Sequence, residues 1–155
     1  IQYIVGLVQA GRTQKTVFME DELWKMIGAT ASEKVASQIL VIFKVIRGYG
    51  GSAIFATQDF TDTSNAIGKG VTNACSINVV LSMKMEQAKI AQGLFDLTDD
   101  ECAQIATAPR GTALVCTGST HVRVAIKASP LEHNLFTTDR SDLEKLYYQK
   151  LAAGE

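Results

Sequence analysis

An acidic pair, Asp21 and Glu22, follows the first strand-like segment of the sequence and is preceded by a third acid, Glu20. The β-type run over residues 16–19 is succeeded directly by Glu20, Asp21 and Glu22. In open α/β sheets, ligands bind at the carboxyl ends of the strands. At such an end the first acid can hold Mg²⁺, directly or through water, and the second can orient or deprotonate an attacking water. The pattern has the form of a Walker B motif, and a solvated acidic turn at the surface is the alternative.

A neutral amide follows the next predicted strand. Residues 52–57 form a continuous apolar run typical of a buried parallel strand, and Gln58 comes directly after it. An amide there can hydrogen-bond a γ-phosphate or its attacking water without competing for the metal, although an ordinary polar strand end is the alternative. Because right-handed crossovers align the carboxyl ends of consecutive parallel strands, the acidic pair and Gln58 fall at one edge. Their conjunction favours a nucleotide site.

The elements that must position these residues alternate between strands and helices. Beyond the two strands already described, the pattern predicts helices over 1–10, 33–47, 86–95, 99–106 and 142–151, a partly helical segment over 59–74, a strand over 77–81, and a hairpin of 112–117 and 121–127. Capping boxes are predicted at Thr98–Glu101 and at Ser141–Glu144. Strands that alternate with helices of 10–15 residues, closed by a hairpin, indicate an α/β domain.

Composition limits the classes of function. The chain has 155 residues, 46% of them hydrophobic, which suffices for one domain with a core and argues against disorder. Fifteen basic and sixteen acidic side chains give a net charge of −1, so a general polyanion binder is not expected, although a local basic patch stays open. The longest uncharged stretch, 70–83, has 14 residues and is shorter than the ~18 that a membrane span needs.

Three cysteines and two histidines also restrict the chemistry. Cys75, Cys102 and Cys116 contain no CxxC spacing, and His121 and His133 stand apart from them. A structural zinc site or a disulfide framework is therefore not expected, and reduced thiols are the expectation.

The order of several segments resembles a known family. The runs VFMEDELW and RGYGGSAIFATQD, separated by a long helix, are similar to the Walker B to ATQ stretch of the conjugative-transfer ATPases. Those enzymes energise type IV secretion and belong with the FtsK–HerA class of hexameric motors. The downstream runs NACSINVVLSM, LFDLTDDE, PRGTALV and KASPLEHNLFTTD are similar as well, so the resemblance extends from about Val17 to Asp139.

The resemblance implies a fold and a set of roles. The fold is the carboxyl-terminal part of a RecA-like P-loop NTPase, with a mainly parallel sheet, helices on both faces and a terminal β-hairpin. ATP and Mg²⁺ are the implied cofactors, with Asp21 as the metal-associated carboxylate, Glu22 as the catalytic base and Gln58 as the phosphate-sensing residue. Trp24 corresponds to the aromatic residue that commonly follows the acidic pair in this family. A core or interface aromatic is the alternative for Trp24.

Partners and location are implied by the resemblance in the same way. The parent protein is expected to form a hexameric ring at the inner face of the cell membrane, in the cytoplasm, with type IV secretion inner-membrane components and, indirectly, a DNA or protein cargo. Candidates for an arginine that completes a neighbour's site are Arg47, Arg110 and Arg123, and an ordinary surface arginine is the alternative for each. An FtsK/HerA-like DNA translocase and a non-catalytic α/β interaction module remain the alternative functions.

The phosphate-binding loop of this family has no counterpart in the sequence. No GxxxxGK[ST] occurs: no lysine follows the glycines of 48–51, and the glycines around Lys69 have the wrong spacing. The resemblance puts that loop well upstream of Walker B, so residues 1–155 are expected to be one partial domain, the Walker B half. We expect this chain alone not to turn over ATP, because the loop's amides and lysine position the γ-phosphate.

The missing loop has a consequence for the sheet. In the RecA-like motors the P-loop strand lies beside the ATQ strand, so the strand over 52–57 lacks one neighbour here. Residues 53–56 carry no charge that would protect an exposed edge. We expect either the strand over 77–81 to close into this position or a second copy of the chain to pair there, and therefore self-association.

Overall fold

The structure is a computed structural model that describes residues 15–28, 30–61 and 64–153, together with Gly6 and Ala10. Apart from those two residues, the helix predicted over 1–10 lies outside the described part. The chain divides into two compact units, Ile1–Val124 and Ala125–Glu155. The acidic pair and Gln58 both belong to the first unit.

Strands and helices alternate along the chain, and the predicted α/β class is confirmed. In chain order the elements are β1 (Val17–Glu20), α1 (Trp24–Ile27), α2 (Glu33–Val45), a 3₁₀ turn (Ile46–Tyr49), β2 (Ser52–Phe55), α3 (Ala66–Ala74), β3 (Asn78–Leu81), α4 (Met85–Phe95), α5 (Asp99–Thr107), β4 (Thr112–Thr117), β5 (Thr120–Ala125), α6 (Pro130–Phe136) and α7 (Arg140–Ala153). The predicted helix over 33–47 gives way to the 3₁₀ turn, which Gly50 ends with a left-handed φ of 74°.

The first two strands pair in parallel, as predicted, and cover one side of α2. The register places Phe18 beside Ala53 and Glu20 beside Phe55. Phe43 of α2 meets the rings of Phe18 and Phe55 edge to face, at centroid distances of 6.3 and 5.4 Å. The buried members of this first core are Phe18, Leu23, Ile27, Ala36, Ile39, Ile42, Phe43, Ile46 and Val71. The opposite face of the strand pair carries the exposed side chains of Val17, Met19 and Ile54.

A separate three-stranded sheet, in the order β3-β4-β5, carries the second core. β3 runs antiparallel to β4, with Asn78 beside Cys116 and Leu81 beside Ala113. The predicted tight turn lies between β4 and β5, where Gly118 has a φ of 57°. The buried members of this core are Val80, Ala88, Ala91, Leu97, Cys102, Ile105, Leu114 and Cys116.

The position of β3 differs from the sequence-based expectation. The strand predicted over 77–81 exists, but the expectation that it closes against β2 is wrong, because its neighbour is β4. The physical reason is burial: Val80 is 1% exposed in a core that it shares with Leu114 of β4 and with α4 and α5. Within the described residues β2 pairs only with β1. Self-association stays a prediction.

Capping residues set the starts of three helices. The capping box of Thr98 and Glu101 is present at α5, as predicted. The one predicted at Ser141 is wrong: α7 begins at Arg140, and the Ser141 N–H donates to Asp139 Oδ1 at 2.9 Å. The acceptor at the start of α7 is therefore the Asp139 carboxylate, which lies two residues before the predicted cap, Ser141. α6 was not predicted, although Ser129 forms a capping box there.

The α3 helix begins later than the segment predicted over 59–74. Asn65 is its N-cap, and the Asn65 Oδ1 accepts from the Gly68 N–H at 2.8 Å. The same side chain donates through Nδ2 to the carbonyl of Ile27 at 2.8 Å. Asn65 therefore ties the start of α3 to the end of α1, directly after the residues of the acidic edge.

The cysteines are free thiols in partly or fully buried positions. Burial raises the pKa of the Cys75 thiol, and burial followed by the nearby Glu101 carboxylate raises that of Cys116. A raised thiol pKa makes both poor nucleophiles at neutral pH. Over the ranges that the structure describes, no helix has the length and apolar character needed to cross a membrane.

Candidate active site at the carboxyl edge of the parallel strands

The carboxyl ends of β1 and β2 lie side by side, and their pairing continues past the strands. The Ala56 N–H donates to the Glu20 carbonyl at 3.0 Å, and the Leu23 N–H donates to the Ala56 carbonyl at 3.1 Å. These two bonds hold the residues that follow each strand at one edge. Glu22 and Gln58, 36 positions apart in sequence, are thereby in direct contact.

Glu22 occupies a backbone conformation that is uncommon for a residue with a side chain. Its φ is 58°, in the left-handed region, and its N–H donates to Asp21 Oδ1 at 2.9 Å. A residue other than glycine held in this region costs on the order of 1 kcal/mol, and such residues concentrate at functional sites. The next residue, Leu23, is fully buried at 0% exposure, so the core holds the turn from one side.

Both carboxylate oxygens of Glu22 accept hydrogen bonds from side chains. Gln58 Nε2 donates to Oε1 at 2.6 Å, and the indole Nε1 of Trp24 donates to Oε2. The bond from Trp24 was not predicted from the sequence, which indicated only an aromatic residue after the acidic pair. Two donors on opposite oxygens restrict rotation of the carboxylate. Lys25 lies over the Trp24 ring, with its Nζ 5.6 Å from the ring centroid.

Asp21 has the donor atoms that a magnesium ion requires. The residue is exposed, and its Oδ1 accepts from the Glu22 N–H. Mg²⁺ is commonly held by one or two carboxylates together with phosphate oxygens and water, rather than by a cage of protein ligands. Among the described residues, no group of three or more His, Cys, Asp or Glu side chains is placed so that it could hold a metal ion.

The loop after Gln58 is held by α4, which sequence analysis missed. Gln87 Oε1 accepts from the Phe60 N–H at 2.9 Å. Gln87 Nε2 donates to Asp59 Oδ1 at 3.0 Å and to Thr61 Oγ1 at 3.1 Å. The Thr61 N–H, followed by the Thr61 side chain and the Gln87 amide, lowers the pKa of the Asp59 carboxyl. No sequence signal linked Gln87 to this loop, because its partners are more than 25 positions away in the chain.

The candidate arginines lie elsewhere in the first unit. Arg123 is exposed on β5, Arg110 is exposed in the turn before β4, and Arg47 is exposed in the 3₁₀ turn before β2. Within the described ranges, none of the three forms an ion pair or hydrogen bond with the acidic pair or with Gln58. The contact of Glu22 with Gln58 is thus formed without any of them.

We expect Leu23→Ala to lower the free energy of unfolding by ~2–5 kcal/mol, because a fully buried side chain leaves a cavity when it is truncated. Urea unfolding of the 155-residue chain measures this change. Leu131→Ala is the matched control, since Leu131 is 69% exposed and should change stability by less than ~0.5 kcal/mol. Equal losses in the two variants would contradict the anchoring of the acidic turn by Leu23.

An α/β domain whose adjacent parallel strands end in an Asp-Glu pair and in a glutamine has the form of a P-loop ATPase domain. Residues 2–153 match the family described as the TraG P-loop domain, and the chain belongs to that family. The match confirms the resemblance to the conjugative-transfer and type IV secretion ATPases that the sequence runs indicated.

Solved structures share this fold. VirB4 of Thermoanaerobacter pseudethanolicus is similar at 22% identity and a TM-score of 0.73, over 84% of this chain and 36% of that one. The genome packaging NTPase B204 of Sulfolobus turreted icosahedral virus 2 is similar at 13% identity, with TM-scores of 0.58 in complex with ATP-gammaS and 0.57 with AMP. Each B204 match covers 83% of this chain and 62% of that one. No protein with a curated description matches the chain.

Proposed function

We propose that this chain is the Walker B part of an ATP-hydrolysing motor that powers conjugative DNA transfer or type IV secretion. The observation that carries the proposal is the bond of 2.6 Å between Gln58 and Glu22, which joins the two polar strand ends at one edge. Membership of the TraG P-loop domain family supports the class of reaction. The matched structures are longer than the region shared with this chain, so the activity is proposed for the full-length protein.

Each side chain at the edge has a separate task in the proposed reaction. Asp21 holds Mg²⁺ through its exposed carboxylate, directly or through water. Bound Mg²⁺ supplies charge neutralisation on the phosphates. Glu22 accepts the proton of the attacking water at a carboxylate oxygen, with the Trp24 indole holding that carboxylate in place. Gln58 turns its amide from Glu22 toward the γ-phosphate or the water when nucleotide is present.

The proposal extends to the assembly of the full-length protein. We propose that the full-length protein forms a homohexameric ring at the cytoplasmic face of the membrane, attached to type IV secretion components. The DNA or protein cargo passes through that assembly and is handled by this chain only indirectly.

We expect Asp21→Asn in the full-length protein to raise the Mg²⁺ concentration needed for half-maximal ATP hydrolysis about tenfold or more. The expectation follows from the loss of one charged ligand, worth ~1.5–3 kcal/mol. A Mg²⁺ titration of the steady-state hydrolysis rate measures it. Asp100→Asn makes the same change at an exposed residue of α5 and should leave the titration unaltered. An unchanged Mg²⁺ dependence in Asp21→Asn would refute the metal assignment.

A further inference from the structure

We propose that Gln87 is a positioning residue, which holds the loop after β2 so that Gln58 stays on Glu22 and which couples the site to the second core. The hydrogen bonds that join Gln87 to Asp59, Phe60 and Thr61 form a contact that we call the Gln87 latch. The proposal rests on the proposed function only for the role of Gln58 at the γ-phosphate; the coupling itself rests on the contacts.

The latch uses both ends of one side chain. The Gln87 carbonyl oxygen accepts from the backbone of Phe60, and the Gln87 amide nitrogen donates to the side chains of Asp59 and Thr61. A single amide on α4 thus binds three consecutive residues of the loop. Loss of such an amide leaves a part-buried backbone N–H and a carboxylate without those partners.

Phe60 links the loop to the second core. Its ring packs against the buried cluster of β3, β4, α4 and α5 and meets Phe95 edge to face at a centroid distance of 5.8 Å. Gln58, two residues earlier, contacts Glu22, which directly precedes the buried Leu23 of the first core. Two residues span at most ~7 Å of extended chain, so the position of Phe60 limits where Gln58 can lie.

Hydrogen bonds within the loop also restrain the segment from Gln58 to Phe60. The Asp59 N–H lies 3.4 Å from Thr57 Oγ1, and the Thr57 hydroxyl lies 3.2 Å from the Asp59 carbonyl. Asp59 Oδ1 in turn accepts from the Thr61 N–H at 2.7 Å. A short segment bonded at each residue transmits displacement instead of absorbing it. Movement of Gln58 toward a phosphate therefore pulls on α4, and the reverse also holds.

The indole of Trp24 provides a reporter of the site. It is the one tryptophan of the chain, and its N–H donates to the carboxylate that Gln58 also contacts. In a ¹⁵N-labelled sample of the 155-residue chain it gives a single indole N–H signal. We expect Gln58→Ala to shift this signal, because the Glu22 carboxylate loses its second donor.

The decisive variant is Gln87→Glu, which keeps the size of the side chain and puts a carboxylate against Asp59. We expect it to shift the indole signal in the same direction as Gln58→Ala, by at least about half as much, and to add no shift in the Gln58→Ala background. Gln92→Glu is the matched control. It lies on the same helix, and its amide donates to Asp99 Oδ1 at 2.9 Å, so the chemical change is the same. We expect no shift there.

Three results would overturn the proposal. The first is that the indole signal does not move in Gln87→Glu or in Gln58→Ala. The second is that Gln92→Glu shifts the signal as much as Gln87→Glu does. The third is that Gln87→Glu still shifts the signal when Gln58→Ala is already present. If Gln87→Glu unfolds the chain, Gln87→Met takes its place in the same test, because it removes the hydrogen bonds without adding charge. The same results are expected, and the same results would overturn the proposal.

Kinetics of the full-length protein separate this inference from the proposed function. Gln87→Glu should lower kcat about tenfold with the KM for ATP within about twofold, because misplacement of a positioned group acts on the chemical step. The proposal would be overturned if Gln87→Glu raised the KM by the same factor as it lowered kcat and Gln92→Glu had the same effects. Gln87 would then have a merely structural role. Unaltered hydrolysis in Glu22→Gln would reject the proposed function, whereas the indole shifts test the coupling without hydrolysis.

Discussion

Glu22→Gln is expected to lower ATP hydrolysis by the full-length protein on the order of 10²-fold or more, while ATP binding is retained. The amide keeps the shape of the carboxylate but cannot accept the proton of the attacking water. The structure adds a second reason, because both carboxylate oxygens accept from N–H donors of Gln58 and Trp24. The NH₂ group of a glutamine at this position meets one donor with another, so the orientation of the side chain is lost as well.

Steady-state hydrolysis and equilibrium binding of an ATP analogue measure the two quantities separately. Glu33→Gln is the matched control, since it makes the same change at an exposed residue in the first turn of α2. Normal hydrolysis in Glu22→Gln would remove Glu22 from the role of base. A parallel loss of binding would show that the residue contributes to the ground state rather than to the chemical step.

The second large effect concerns the arginines. We expect Arg110→Ala or Arg123→Ala to lower hydrolysis ~10³-fold in uniform rings, because an arginine that reaches a neighbour's phosphate contributes that much. Both residues are exposed and lie at β4 and β5, in the sheet that does not carry the acidic pair. An arginine at this position that acts in catalysis is therefore expected to act on the site of another subunit.

Mixed rings test this arrangement. Subunits with Arg110→Ala or Arg123→Ala, combined with subunits that carry Glu22→Gln, should regain part of the activity, because some sites then have an intact base and an intact neighbouring arginine. Arg140→Ala, at the exposed start of α7, serves as the control for mixing and should itself remain active. No restoration with either arginine would eliminate both as trans residues.

Several elements that depend on residues close together in the sequence were predicted correctly. The apolar run before Asp21, the run before Gln58 and the hairpin turn at Gly118 all correspond to observed elements. The capping box at Thr98 is also present. The position of Glu22 and Gln58 at one edge of the sheet followed from one further rule, that parallel strands align their carboxyl ends.

Local signals failed where two of them competed. A serine and an acid predicted a capping box at Ser141, but the carboxylate of Asp139 accepts from the Ser141 N–H and the helix begins at Arg140. Conversely, Ser129 precedes Pro130 in a complete capping pattern that was overlooked, and a helix begins there. Both cases concern charges and hydrogen bonds within four residues, so the signals for both helix starts are local to the sequence.

Contacts between residues that are far apart in the sequence were predicted only in part. The sequence determined the order of the strands, most of the helices and the types of side chain at the acidic edge, because backbone propensity, periodicity and strand ends depend on residues close in the chain. Tertiary structure decided that β3 lies beside β4, that Trp24 donates to Glu22, and that Gln87 holds the loop after Gln58. Partners such as Gln87 and Phe60 are brought together by burial of the second core, and burial depends on the packing of whole elements rather than on spacing along the chain.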